Sequence, residues 1–305
     1  MHQATAGKMR HCNQPDASSG VGMRTRLSLS VRGKRLLREL RRHRMEREMS
    51  PEEVARRLGW HKTKLYRIER GESRLILDDL EELLELYGVR SPERESLFQL
   101  GRDAWKRGWW LAYRDLYQGE SFFVMENDAA KIGFYAPNLL PGLLQTEDYA
   151  RCLIRAAHPD MADDAIQRQV QVRMERQAIL TRRKPPRILA VMDEGVLRRT
   201  VGGETTYKKQ LEHLLELGKR PNVDLHVIPF QAGEHMGQEG QFTLFEFPDP
   251  EDPPVAYQEG LFGDVYVEDV ADMSRYMLAA EKSLDAALSK AETVAFIERL
   301  AKETR

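Results

Sequence analysis

Residues 50–71 read SPEEVARRLGWHKTKLYRIERG, and their spacing decides how the amino-terminal part of the chain folds. The Ser50 hydroxyl is placed to accept the Glu53 N–H while the Glu53 carboxylate reaches back, which predicts a capping box. Pro51 fits the first helical position, where an N–H has no helical partner to lose. Val54, Ala55 and Leu58 then share a face, and Ala55 is small enough for two helices to cross closely. Gly59 is expected to end this helix, because so tight a turn needs a residue free to take positive φ. A second helix is expected from about 61 to 69, with Leu65 and Ile68 inward, Lys62, Thr63, Lys64, Tyr66 and Arg67 outward, and Gly71 as its stop. Two short helices joined in this way form a helix-turn-helix, whose second helix enters the major groove of DNA.

Charge agrees with a nucleic-acid partner for this region. Between Arg24 and Arg74 there are 17 Lys and Arg against 7 Asp and Glu, a net of +10; the whole chain sums to −1, so the remainder carries −11. A local basic patch is enough to attract phosphate. Guanine offers N7 and O6 to the groove, and an arginine that bonds both discriminates by roughly 1–3 kcal/mol. Arg38, Arg41, Arg42 and Arg47 are expected to divide between phosphate contacts and solvated charge.

The chain has 305 residues, 41% of them hydrophobic, enough for two domains or three. Its apolar runs are too short to span a membrane, and its start has no apolar signal core. Cys12 and Cys152 are its two cysteines, without metal-type spacing, so no metal site, cofactor or disulfide framework is indicated and a reducing cytoplasm is expected.

Residues 1–28, rich in Gly, Ser, Gln and Asn, are expected to be disordered. A first helix is expected over about 31–47, a fourth over 77–87 with Leu80, Leu83, Leu84 and Tyr87 in one stripe, and a fifth from Ser91-Pro92-Glu93 to about 107. Adjacent Trp109 and Trp110 cannot share one helix face, so one is expected on the amino-terminal domain and the other on the body. In the body, helices are expected near 146–157, 163–182, 204–219, 270–288 and 290–303, the last capped by Ser289. Strands are expected at 187–192, 223–229, 241–247, 254–258 and 264–268. The fold class is therefore α+β: five helices over 29–107, then a mixed α/β domain over 108–305 with a mostly antiparallel sheet.

The stretch from Leu36 to Leu86 resembles the Cro/C1-type (XRE) helix-turn-helix domain of phage repressors and their bacterial relatives. That resemblance implies that Lys62, Thr63 and Arg67 face bases and that Lys64 lies near the DNA backbone; His61, Tyr66, Arg70 and Arg74 are expected as further phosphate contacts. It implies a pair between Arg44 and Glu69. His61 stands where relatives commonly have a Ser or Thr cap, and Glu48 where they often have Gly. In the body, GWWLAY, PNLLPGLLQTEDYAR, RRTVGG, RPNVDLHVIPF and FTLFEFPDP followed by YQEG are similar to a large actinobacterial set of XRE regulators, the WhiJ-like proteins. The resemblance covers about Leu36 to Leu300. It implies a transcriptional regulator that binds double-stranded DNA, often encoded beside a small partner protein in a pair likened to toxin and antitoxin.

Catalytic candidates in the body are sparse. Asp193 and Glu194 follow a strand, His226 lies in another, and Glu234-His235-Met236-Gly237-Gln238-Glu239-Gly240 forms a glycine-rich loop. Acid–base chemistry would need such groups together, but no phosphate loop, nucleophile elbow or metal cluster accompanies them. An enzyme is not expected. Glu234, His235 and Glu239 either wall a ligand or partner pocket or belong to a plain hairpin connection. The leading expectation is a regulator acting as a homodimer, because paired half-sites double what one short helix can read. The alternative is an antitoxin-like protein that neutralises a small partner and binds DNA to regulate itself.

Overall fold

The computed structural model describes residues 31–104, 109–113, 115–116, 121–260 and 263–304. The segment 1–28 lies outside them. Five helices come first: α1 (Val31–Glu46), α2 (Pro51–Arg57), α3 (Lys64–Glu69), α4 (Leu77–Leu86) and α5 (Glu93–Ala104). Their apolar stripes meet in one core of Leu36, Leu40, Val54, Leu65, Ile68, Leu80, Leu83, Leu84, Tyr87 and Leu97. Burial of this kind, rather than helix propensity, holds helices of six or seven residues in place. We call this part the head.

The body holds a six-stranded sheet of order β3-β2-β1-β4-β5-β6. Its elements are α6 (Ser121–Asp128), β1 (Lys131–Ala136), α7 (Glu147–Ala157), α8 (Asp163–Arg176), β2 (Arg187–Asp193), α9 (Glu194–Arg198), α10 (Gly203–Gly218), β3 (Val223–Ile228), β4 (Phe242–Glu246), β5 (Val255–Gln258), β6 (Val265–Val267), α11 (Val270–Asp285) and α12 (Lys290–Glu303). β1, β2 and β3 pair in parallel, which helical crossovers permit. β4, β5 and β6 add on antiparallel through short connections. The fold is α+β, and three of the five strand pairs are antiparallel.

Alternation along the strands sends side chains to two cores. Ile132, Phe134, Ile188, Ala190, Leu225 and Phe245 face α10 and α12 residues such as Leu211, Leu214 and Ile297. Tyr135, Val191, Phe242 and Leu244 face Met273, Ala279 and Ala280 of α11. Edge strand β3 is closed by the start of α12: Leu288 N–H donates to Val227 O (2.8 Å), Val227 N–H donates to Thr293 Oγ1 (3.2 Å), and Lys290 pairs with Asp224 (2.8 Å). That helix opens with a full capping box on Ser289 and Glu292.

Three features depart from the sequence reading. β1, the central strand, carries no period-2 signal because Gly133 interrupts it and strand burial on both faces erases the alternation. α6 and α9 are likewise too short to show a helical period. Trp109 and Trp110 do not divide between head and body. They sit in a 3₁₀ segment and both pack on Phe123, at centroid distances of 5.8 and 6.4 Å, in one cluster with Val124 and Val172. The tighter helix brings neighbouring side chains around to a common aromatic nest.

Head and body meet through α1. Arg38 pairs with Asp252 (3.2 Å), Arg35 with Asp249, Lys34 with Glu268, and Arg32 approaches Asp128 (4.0 Å).

Candidate nucleic-acid interface

The unit of α2, turn and α3 is built by six local devices. Ser50 Oγ accepts the Glu53 N–H (3.1 Å) and Pro51 occupies the first position. The reciprocal half of the expected capping box is diverted: the Glu53 carboxylate takes Arg57 Nη2 (2.5 Å), one helical turn on. Gly59 takes φ +65°, and Trp60 N–H closes the turn on Ala55 O (2.7 Å). Val54, Ala55, Leu65 and Ile68 are all buried, so α2 and α3 share an apolar seam. Gly71, at φ +66°, turns the chain out of α3.

α3 starts three residues later than the sequence suggested. His61, Lys62 and Thr63 form a turn, with Lys64 N–H donating to His61 O (2.8 Å) and His61 Nδ1 lying 2.9 Å from Thr63 Oγ1. The ring nitrogen and β-branched threonine stabilise the turn locally in place of a first helical turn. Helical order therefore begins at Lys64 and the interface is a turn followed by a short helix.

Lys62, Thr63, Tyr66 and Arg67 are exposed. Lys62 and Arg67 have no ion pair or side-chain hydrogen bond among the described residues, which sets them apart from most cations of this chain. Lys64 behaves differently from its expected phosphate role. Its ammonium pairs with Asp79 of α4 (2.6 Å) and lies 4.0 Å from the Trp60 ring centroid. Trp60 Nε1–H donates to Glu82 (2.8 Å), so α4 anchors the turn. Acidic residues in the first two turns of the fourth helix are the one sequence sign of this bracket. Arg70 lies over the Tyr66 ring at 5.2 Å and pairs with Glu72 (3.0 Å); Arg74 is exposed.

Behind the interface, Arg44 grips Glu69 with two bonds, Nε to Oε1 at 2.7 Å and Nη2 to Oε2 at 3.0 Å. Both side chains are about nine-tenths buried. The hydrogen bonds to Glu69 hold the Arg44 guanidinium above its ordinary pKa. Arg44 Nη1 also donates to Met49 O (2.8 Å), tying α1 to the loop before α2. In that loop Glu48 takes φ +53°, the one non-glycine residue at positive φ among the described residues. Of the four arginines set between phosphate and solvent, three are engaged internally: Arg38 with Asp252, Arg42 with Glu39, Glu46 and Glu93, and Arg47 with His43 O. Arg41 is exposed.

The body's candidate residues do not converge. Glu234 is exposed, Glu239 pairs with Arg275 (3.0 Å), and His235 is buried with Nε2 3.7 Å from Asp193. The cavity beside His235 is only about 10 Å³, room for one water. Asp193 caps α9 by accepting Gly195 N–H (2.7 Å). Glu194 is buried between Arg198 Nε (2.5 Å) and Phe230 N–H (2.8 Å). His226 Nδ1 lies 2.9 Å from Leu288 O. Asp193, Glu194, His226 and Glu239 thus bond within the body, while His235 Nδ1 is buried without a hydrogen-bond partner.

Residues 35–97 match a family described as a helix-turn-helix domain, and residues 120–299 one described as a domain of unknown function (DUF5753). No curated protein and no solved structure matches the chain. Among the described residues, no helix is long and apolar enough to cross a membrane.

Proposed function

Because the chain belongs to the DUF5753 family, whose domain fills more than half of it behind a helix-turn-helix domain, we propose that it is a sequence-specific DNA-binding transcriptional regulator of XRE type. Residues 29–107 form the reading head and 108–305 the regulatory body. The carrying observation is the pair of free cations, Lys62 and Arg67, exposed on a recognition segment whose other faces are buried or bonded. Lys62, Thr63 and Arg67 meet base edges; His61, Tyr66, Arg70 and Arg74 meet phosphates. Lys64 instead sets the position of the turn. The chain acts in the cytoplasm as a homodimer, so that two heads read paired half-sites.

Genome-wide mapping of bound sites, followed by gel shifts on the recovered motif, tests this reading. A palindromic motif bound in preference to scrambled DNA is expected. Equal binding to both would reject it.

A second reading has one observation in its favour. Val270, Met277, Leu278 and Leu284 lie exposed on α11 of the acidic body, and clustered apolar surface marks interaction sites. An antitoxin-like regulator of the actinobacterial WhiJ-like kind would hold a small partner protein there. Co-purification with the product of an adjacent gene tests it; a chain isolated alone from its native host counts against it.

A further inference from the structure

One cavity belongs to neither unit alone. A cleft of about 510 Å³ opens between head and body, in the size range of small-molecule sites. Arg32 and Arg35 of α1 and Leu100 of α5 line one wall; Asp128, Phe247 and Asp252 line the other. Domain interfaces are preferred places for such sites.

Its chemistry is two-signed with an apolar floor. Arg35 pairs with Asp249 through Nη1, yet its Nε–H is buried with no hydrogen-bond partner. That donor has no exposed surface, so a ligand acceptor meets it only as the Arg35 side chain swings off Asp249 toward the cleft. Asp252 has the opposite want. Burial pushes its carboxyl above the ordinary carboxylate range, and the single Arg38 bond at 3.2 Å does not offset that. An anion alone would draw Arg35 off Asp249 and leave a carboxylate stranded; a cation alone would strand the guanidinium. Arg35 and Asp249 are part-exposed, 24% and 30%, so water only partly replaces a lost partner, while Asp252 is buried and an unpaired charge there is costly. A ligand bearing both charges replaces each lost partner.

We propose that this cleft binds a small zwitterion with an apolar body, an α-amino acid with a large apolar side chain being the simplest member. Its carboxylate meets Arg35 and Arg32, its ammonium meets Asp252 and Asp249, and its side chain lies on Leu100 and Phe247. The consequence for DNA rests on the regulator reading above. Arg35 and Arg44 stand nine positions apart on α1, roughly 13 Å at the helical rise. The helix that lines the cleft thus also holds Glu69 of the recognition helix. Occupancy and operator binding are coupled, and by linkage each changes the other's affinity by the same factor.

The test is calorimetric titration of the full chain with L-phenylalanine and with L-leucine, each beside its des-amino acid and its decarboxylated amine. Saturable binding of at least one amino acid is expected, at least tenfold tighter than either one-ended analogue. Ser96→Trp, filling the cleft from an exposed position, is expected to weaken binding at least tenfold with the melting temperature unchanged. Asp252→Asn is expected to reduce the amino acid to the affinity of its des-amino analogue. The proposal is overturned if neither amino acid binds, if one-ended analogues bind equally, or if Ser96→Trp leaves binding intact. Operator gel shifts on the same preparations separate the two readings. Operator binding without amino-acid binding sinks the cleft alone, whereas loss of operator preference sinks the regulator and leaves the titration to judge the cleft.

Discussion

Head and body both carry many charges, and both keep some exposed cations unpartnered, Arg183 and Lys184 in the body among them, but in the head two such cations stand on the helix-turn-helix. In the body, Glu126 takes Arg176 through two bonds of 2.7 and 3.0 Å, Glu194 takes Arg198 and a backbone N–H, and Asp224 takes Lys290. Their removal from water is offset by partners inside the chain. In the head, Arg44 and Glu69 are treated the same way, while Lys62 and Arg67 a few residues away are not. A cation kept in water beside a buried scaffold is available to an external anion at little desolvation cost. The lesson is that a candidate binding residue is picked out by the lack of an internal partner together with its place in the fold, not by its type alone. Lys64 makes the point, since it lies between Lys62 and Arg67 in sequence yet is held by Asp79.

This contrast can be broken or sharpened by substitution. The largest effect is expected from Phe245→Ala in the fully buried centre of the sheet: a loss of about 4 kcal/mol. Calorimetry should show the body transition fall while the head transition and operator binding persist. A fall of both together would mean that the two units fold as one. Next is Glu69→Ala, which strands Arg44 at one-tenth exposure and should cost the head about 3 kcal/mol. An unchanged head transition would show that the pair is dispensable.

Arg67→Ala comes third, since it removes a side chain with no internal role. Operator affinity should fall about tenfold or more, with base preference relaxed at one position and the melting temperature unchanged. Lys64→Ala is the matched comparison. It should lower head stability by under about 1 kcal/mol and weaken all sequences alike. If Lys64→Ala relaxed base preference as Arg67→Ala does, the division between held and free cations would fail. The smallest effect is a gain. Glu48→Gly removes a side chain from positive φ and should stabilise the head by about 0.5–1 kcal/mol, read as a rise in its denaturation midpoint.

Local chemistry explains what could be read in advance. The α2–α3 unit is specified within 22 residues, by Ser50, Pro51, Gly59, Leu65, Ile68 and Gly71, and each does locally what its type suggests. The Arg44–Glu69 pair was legible through resemblance, and the structure holds it at 2.7 Å. The start of α3 was not, because a turn made by His61 and Thr63 competes with one more helical turn on nearly equal terms. In the body, amphipathic helices such as α10 and α12 announced themselves by period. β1 did not, because Gly133 interrupts a short run that is buried on both faces and shows no alternation.

The sequence alone determined the helix-turn-helix, the basic head on an acidic body, and five of the six strands. These are short-range properties, carried by periodicity, caps and charge. The tertiary structure decided the rest: that β1 lies at the sheet centre, that both tryptophans share one nest, that Lys64 is held, and that α1 joins the two units around a two-signed cleft. Those outcomes depend on which distant carboxylate or ring comes within reach of a side chain, and that distance is set only when the whole chain has packed.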